Sequence, residues 1–556
     1  MIRPGETLED GGTTQAAVAI VGAGPVGIAL AIRLAGRIGN VVLVEAGGER
    51  FKSADHVDYF GAERVDDALH GPTDINRRRM LGGTSSVWGG RCIPFDPEDF
   101  APTPARPGWA IPFSAFEAHL ADALDFLDAG PPVYSAASVL PTRPLPLPSA
   151  DLLLDRIERY SKPTNLWRKW RHHIEGRRDV TVIHEAACTE ILTGADGARA
   201  TGLALLTASH KRHTVLADTI VLACGGLETP RLLLASRGAR PSGLGNDKDL
   251  VGRFYMAHLV SSAENAGFIR FRDPATARAF DFTRTTDGIY GRRMMLLTAE
   301  ARQRETLPNI VFRPNRPAIN DPAHRDAVLS TMFMVRNLLI PPEYERSLTT
   351  RKGRLPPSPA WRAHIANIAR DLPGLGRFSA NWVVRHMLAT RKLPSVFLYR
   401  RDGLYPLEFN AEQMPTRESR VQLGTETDRL GLPRLLVQWR YQPADLEGIC
   451  RAFRVFASAV SESGLGEVAF GPDLRETVQR ALVAQGGHHI GTARMGGDPQ
   501  SGVVDPDCEV WDCQGLFVAG TAVLPTSGFA NPTLTAVALA LRLSEHLVAR
   551  TRRAAA

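Results

Sequence analysis

The feature that most narrows what this chain can fold into is an apolar run, close to its start, that ends in three spaced glycines. Residues 17–21 read Ala-Val-Ala-Ile-Val, a stretch suited to a strand buried on both faces. Gly22, Gly24 and Gly27 follow in a Gly-x-Gly-x-x-Gly spacing. Residues 28–38 then read as a helix, and residues 41–44 as a second buried strand ending at Glu45. In a strand–turn–helix–strand unit each glycine has its own purpose. Gly22 permits the tight turn, Gly24 lets backbone approach a pyrophosphate, and Gly27 lets helix and strand pack closely. Free N–H groups at the helix start would face the phosphates. Glu45 stands about 20 residues beyond the turn, where a carboxylate accepts hydrogen bonds from adenosine ribose hydroxyls. The glycine spacing alone also fits a merely structural turn; the flanking strand, helix and acid turn it into a dinucleotide site. These residues do not choose between FAD and NAD.

At 556 residues the chain exceeds one ordinary core, so two or more domains are expected. Hydrophobic residues at 44% and charged residues at 22% exclude a mostly disordered chain. The net charge of +7 arises from 66 basic and 59 acidic residues, dispersed apart from residues 77–79 and 168–178. A nucleic-acid binder gathers its cations on one face, so no nucleic-acid partner is expected. Cys92, Cys188, Cys224, Cys450, Cys508 and Cys513 form no Cys-x-x-Cys pair and no metal or iron–sulfur spacing. Such scattered thiols fit a cytoplasmic protein. Residues 1–15 are polar and acidic, unlike a secretory leader. Residues 16–31 are apolar, but glycines and a proline interrupt them, so no membrane span is expected.

A second glycine-rich loop, residues 77–90, carries Gly82, Gly83, Thr84, Ser85 and Trp88. Paired glycines beside small hydroxyl residues admit a flat ligand or a phosphate; a plain tight loop is the alternative. Residues 219–224 read as a strand, Gly225 and Gly226 as a turn, and 231–236 as a helix, either cofactor-facing or a core crossover. From 268 to 465 proline and arginine become frequent, which marks a substrate block. Within it, 351–377 reads as a surface helix or lid, 421–438 as strand–turn–strand, and 444–464 as an amphipathic helix. Near the C-terminus, His488 and His489 precede Gly491 and Thr492. A strand at 515–520 ends at Gly520, and Asn531, Pro532 and Thr533 lead into an apolar helix at 536–548. Either histidine suits a core or capping position, and Asn531 before Pro532 suits a helix N-cap.

The C-terminal segment resembles that of the glucose–methanol–choline family of oxidoreductases. The N-terminal turn, residues 81–85 and residues 223–230 resemble that family too, in its order, and Gly252, Arg253 and His258 resemble a further landmark. The likeness spans most of the chain and is loose between 268 and 480. It implies an α/β chain (α+β overall) with a Rossmann-like FAD-binding domain and an interleaved antiparallel-sheet substrate domain. Residues 15–100, 180–265 and 480–550 are assigned to the former, and 101–179 and 266–479 to the latter. It also implies oxidation of an alcohol CH–OH to a carbonyl, with His488 on the family's catalytic histidine and Asn531 on its partner position. Gly22, Gly24, Gly27, Glu45, Gly82, Gly83, Thr84, Ser85, Trp88, Gly520, Pro532 and Thr533 are the candidate cofactor residues. The chemistry is consistent: a histidine, with a pKa of about 6.5, takes a hydroxyl proton near neutrality. A neutral amide orients the hydroxyl without competing for that proton.

Residues 530–535 are similar to the sugar-oxidising branch, pyranose oxidases and fructose dehydrogenases, which implies a secondary hydroxyl of a sugar or glycoside. Some pyranose oxidases link FAD through a histidine at the position of Val87, so noncovalent FAD is expected. The cysteine cluster of fructose dehydrogenases is missing from the sequence. Oxygen, a quinone or another carrier remains open as acceptor. A non-redox flavin-bearing lyase, a non-sugar alcohol oxidase and a membrane- or nucleic-acid-binding protein are the alternatives.

Overall fold

The computed structural model describes residues 1–555 apart from 54–55, 105, 142–144, 146–148, 162–163, 262–265 and 340–358. The first sheet runs Ile2–Pro4, Val180–His184, Val41–Glu45, Gly12–Val21, Arg212–Leu222, Ala200–Thr207 and Ala186–Thr193. Its first five strands pair in parallel, and the last two close it as an antiparallel meander. Every residue of Val41–Glu45 is buried, as a parallel strand covered on both faces requires. Strand Arg212–Leu222 gives one edge to Gly12–Val21 along most of its length. Its other edge is shared: Ala200–Thr207 covers the first half, and Leu516–Val518 pairs with Ile220, Val221 and Leu222. That parallel pairing brings the C-terminal segment beside the N-terminal glycine turn. The fold is α/β with a Rossmann-like sheet, as the sequence predicts.

The helix after the turn is Pro25–Leu34, not residues 28–38. Proline is favoured in the first helical turn, and Gly36 and Gly39, at φ +74° and +91°, end the helix early. The helix expected at 231–236 begins at Gly225 and runs to Ala235, with Pro230 inside it. Proline has no N–H to offer the carbonyl of Gly226. The buried Thr492 hydroxyl donates to that carbonyl instead, at 2.6 Å.

The second sheet is antiparallel throughout, in the order Gly466–Ala469, Phe268–Phe271, Leu404–Ala411, Ile310–Pro314, Met295–Leu297 and Leu152–Leu153. Leu259–Ser261 pairs with Leu404–Ala411 and with Leu482–Ala484. These two short strands lie within the segments 180–265 and 480–550, yet both pair within the second sheet. Phe312 and Phe409 lie opposite each other and pack on Phe453 of helix Pro443–Glu462. By the two-residue alternation of strands, Arg313, Glu408 and Asn410 take the other face. The strand–turn–strand expected at 421–438 is Arg420–Thr427 and Pro433–Gln438. Of the stretch 351–377, residues 351–358 lie outside the described ones, and the rest forms helices Pro359–Arg370 and Leu372–Trp382.

A Thr492→Val variant keeps the side-chain volume and strands the buried Gly226 carbonyl. The expected loss is about 1–3 kcal/mol in urea unfolding, with Thr492→Ser close to the parent. Equal stability of all three proteins would show that another donor reaches that carbonyl.

Candidate functional site

Gly22, Gly24, Glu45, Gly83, Thr84, Gly520, Pro532 and Thr533 line one cleft, together with Cys188, Gly225 and His489. A Cβ at Gly24 or Gly225 would meet no atom within 4 Å, so backbone is bare to the cleft at both. A Cβ at Gly27 would sit 1.9 Å from the carbonyl oxygen of Gly22, which is why helix and turn need a glycine there. Two glycine loops form one wall. The Gly82 N–H donates to the Ala23 carbonyl at 2.8 Å, and a Cβ at Gly83 would lie 3.0 Å from the Cα of Gly24. Gly82 and Gly83 hold φ +90° and +51°, a conformation glycine adopts without strain.

Glu45 has a structural task of its own. Its Oε2 accepts from the Ala23 N–H at 2.9 Å and its Oε1 from the Gly47 N–H at 2.8 Å, so it braces the turn it follows. Burial pushes its carboxyl up, and these two backbone donors oppose that. Each oxygen keeps a second acceptor direction for a ligand. Four of the sequence candidates do not border the cleft. Gly27 and Gly82 shape its backbone. Ser85 donates to the Gly82 carbonyl at 2.6 Å and accepts from the Leu166 N–H at 3.2 Å, and Trp88 donates to the Thr164 carbonyl at 2.8 Å. These two pin the glycine loop to the chain around residue 165.

Past the cleft, the backbone at 255–258 runs antiparallel to 488–490. Met256 and Ile490 exchange N–H to carbonyl bonds at 2.9 and 3.0 Å, and the Gln485 N–H donates to the His258 carbonyl at 2.9 Å. This register sets His258 opposite His488 and leaves Tyr255 and His489 as diagonal neighbours on the other face. His258 Nε2 lies 2.9 Å from the Ser527 carbonyl, which only accepts, so Nε2 carries the proton. Neutral His258 then accepts at Nδ1 from His488 Nδ1, 2.6 Å away. His488 Nε2 is left without a proton and accepts from the Asn531 amide at 3.0 Å. Burial lowers the His258 pKa to about 4. Burial, with the nearby His258, Arg91 and His489, lowers that of His488 well below the usual imidazole value. His488 is thus held unprotonated with one lone pair presented beside Asn531. Asn531 does not cap the helix. The carbonyl of Pro532 accepts the first helical bond, from Ala536, and Asn531 Oδ1 is buried without a partner.

His489 ends a second chain of fixed tautomers. The Gly71 carbonyl takes the proton of His70 Nδ1 at 2.8 Å. His70 Nε2 therefore accepts from the Tyr255 hydroxyl at 2.8 Å, and that oxygen accepts from His489 Nδ1 at 2.7 Å. The remaining nitrogen, His489 Nε2, is a buried acceptor without a partner on a residue that lines the cleft. A ligand with N–H or hydroxyl donors would satisfy it, and a flavin dinucleotide carries both. With two bare glycines, a carboxylate for ribose and this acceptor, the residues fit FAD. The sequence reading missed the parts played by His258, Tyr255 and His70. Nothing local reveals them, because His258 stands 230 residues from His488.

A Rossmann-like cleft that ends at a neutral histidine–amide pair defines a dinucleotide-dependent protein. Two family models, both described as GMC oxidoreductase, match residues 166–260 and 415–540. A C-glycoside 3-oxidase of Arthrobacter globiformis is 40% identical over 131 residues, 23% of this chain and 23% of that one. A 2-methyl-1,2-propanediol dehydrogenase of Mycolicibacterium austroafricanum is 26% identical over 361 residues, 63% of this chain and 52% of that one. The matched stretches therefore span between about a quarter and half of these curated relatives. The crystal structure of a pyridoxine 4-oxidase from Mesorbium loti shares the fold, with a TM-score of 0.55 and 19% identity over 96% of this chain and 99% of that one. The chain belongs to the GMC oxidoreductase family.

A histidine whose pKa is lowered by folding binds its proton more readily in the unfolded chain, so its contribution to stability is lost on acidification. For His258 the window runs from about pH 6.5 down to about 4. Across it, the parent should lose up to about 3 kcal/mol more than a His258→Gln variant. Parallel pH profiles of the two unfolding free energies would show that His258 is not held neutral.

Proposed function

We propose that this protein is an FAD-dependent oxidoreductase that oxidises an alcohol CH–OH, a secondary hydroxyl of a sugar or glycoside, to a carbonyl. The observation that carries the reading is the proton-free Nε2 of His488, which accepts from the Asn531 amide at 3.0 Å at the end of the cofactor cleft. Relatives named as a C-glycoside 3-oxidase, a pyranose 2-oxidase and a fructose dehydrogenase large subunit support the substrate class. Bound FAD supplies the acceptor for the carbinol hydride. His488 Nε2 takes the hydroxyl proton. Its Nδ1–H stays on His258, whose neutral Nδ1 stabilises the imidazolium that forms. Asn531 donates to the substrate oxygen as charge grows there. The Gly71–His70–Tyr255–His489 chain keeps a second acceptor aimed at the cofactor side of the site.

Gly22, Gly24, Glu45, Gly83, Thr84, Gly520, Pro532 and Thr533 are the residues we assign to holding FAD, with Gly27, Gly82, Ser85 and Trp88 shaping the loops around it. With Val87 where a linking histidine would stand, FAD is bound noncovalently, and acid precipitation should release all flavin into the supernatant. Yellow pellets would contradict this. The compartment we propose is the cytoplasm, consistent with free thiols at Cys92, Cys450, Cys508 and Cys513, all buried. Oxygen, a quinone or another carrier takes the electrons onward.

The deciding measurement is anaerobic flavin bleaching by a panel of sugars, glycosides and simple alcohols. A His488→Ala variant should keep its FAD and reduce it about 10²–10⁴ times more slowly. Asn531→Ala should slow reduction less, by about tenfold to a hundredfold. Unchanged bleaching by His488→Ala would overturn the base assignment, and no bleaching by any alcohol would favour non-redox chemistry.

A further inference from the structure

Helix Pro359–Arg370 buries polar side chains and exposes large apolar ones. The side chains it turns toward the protein are polar: His364 and Asn367 are buried. His364 Nδ1 lies 3.0 Å from the buried Ser330 hydroxyl, and the Asn367 amide donates to the Pro322 carbonyl at 2.9 Å and to Ser330 at 3.2 Å. On its outward side Trp361 and Ile365, at i and i+4, are 37% and 54% exposed, beside the exposed Arg362 and Arg370, and Leu372 at the start of the next helix is 58% exposed. A helix that only packed on the protein would present the reverse pattern.

The segment that follows continues this. Helix Leu372–Trp382 and the turn of helix Val383–Leu388 bury no residue. Val384, Met387 and Leu388 are 56%, 58% and 74% exposed. Single exposed apolar residues need no explanation, but so many on one continuous helical excursion do.

Charge selects the occupant. Between residues 359 and 392 stand Arg362, Arg370, Arg377, Arg385, Arg391 and Lys392, against Asp371 alone, with Arg391 paired to Asp128 at 2.9 Å. Asp371 is occupied in capping the Gly374 N–H at 2.9 Å. This surface interleaves basic residues with tryptophan, leucine and methionine and carries a single acid, a one-signed charge that suits an anionic partner. Apolar side chains that reach below headgroups, flanked by cations for anionic lipid, describe an interfacial helix. Among the described residues no helix is long and apolar enough to cross a membrane, so the contact is peripheral.

We propose that residues 359–392 form a membrane-docking surface, on which the protein sits against an anionic lipid bilayer with its helices in the interface plane. The proposal does not depend on the reaction and is tested without activity. Purified holoprotein is sedimented with phosphatidylcholine vesicles and with phosphatidylcholine vesicles containing phosphatidylglycerol, while tryptophan emission is followed. The expected result is binding to the anionic vesicles with a blue shift, and at least about tenfold weaker binding for a Met387→Ser/Leu388→Ser double variant. An Arg370→Gln/Arg377→Gln variant should weaken anionic binding similarly, which keeps the test sound if the apolar variant fails to fold. Three results overturn the proposal. The first is no binding to either vesicle. The second is salt-sensitive binding that the Met387→Ser/Leu388→Ser variant retains in full, which marks adsorption of a basic protein. The third is a dimer in sedimentation equilibrium that dissociates in that variant while vesicles are ignored, which assigns the face to a second copy.

Discussion

The histidine cluster of this molecule depends on a very short piece of antiparallel backbone. The paired N–H and carbonyl groups of Met256 and Ile490 set two chain segments in register. A slip of one residue would turn every side chain of one segment to the opposite face. His258 would no longer meet His488, nor Tyr255 His489. The pairing is anchored from both sides. Ser419 takes the Tyr255 N–H with its carbonyl at 2.9 Å and gives its hydroxyl to the Tyr255 carbonyl at 2.6 Å. On the other side, Ser527 holds His258 through its carbonyl and, through its hydroxyl, accepts from the Gln413 N–H at 2.8 Å.

Two neighbouring histidines thereby serve two different chains of hydrogen bonds. Both chains begin at a backbone carbonyl, which can only accept, and each step fixes the tautomer of the next. Ser527 dictates His258 and His258 dictates His488; Gly71 dictates His70, and through Tyr255 dictates His489. Each chain ends on a nitrogen lone pair. Burial reinforces both, because a desolvated imidazole resists protonation. The molecule presents two neutral acceptors side by side, each oriented through hydrogen bonds that start at a backbone carbonyl.

Legibility in the sequence followed the range of the interactions involved. The turn at Gly22, Gly24 and Gly27 was readable because strand, turn and helix are contiguous and the glycine requirement is local. A Cβ at Gly27 collides with a carbonyl only five positions away. His488 and Asn531 were readable through a family resemblance, and the structure brings them within 3.0 Å of each other. Helix limits were less readable. Pro230 looks like a helix start, and only a hydroxyl from Thr492 lets it stand inside one. Ser85 and Trp88 sit in the right loop but turn toward the chain near residue 165, a direction that no local pattern encodes. The part of His258 is not encoded locally, since its partners lie far along the chain.

The two sheets divide the labour in a way that follows from their pairing. In the parallel sheet, strands buried on both faces leave their ends as the place for a ligand, and the C-terminal strand Leu516–Val518 enters that sheet just before the loop that carries Asn531. In the antiparallel sheet one face is filled by phenylalanines packed on helix Pro443–Glu462, so the alternate face is free for polar groups. Asn410 on that face donates to the Phe529 carbonyl at 2.8 Å, which ties the second sheet to the same loop. Asn531 is therefore positioned by both sheets at once. A change in their relative placement would reach it before it reached the cofactor turn, which belongs to one sheet only. That asymmetry lets the substrate side vary while the Gly22–Gly27 turn keeps its geometry.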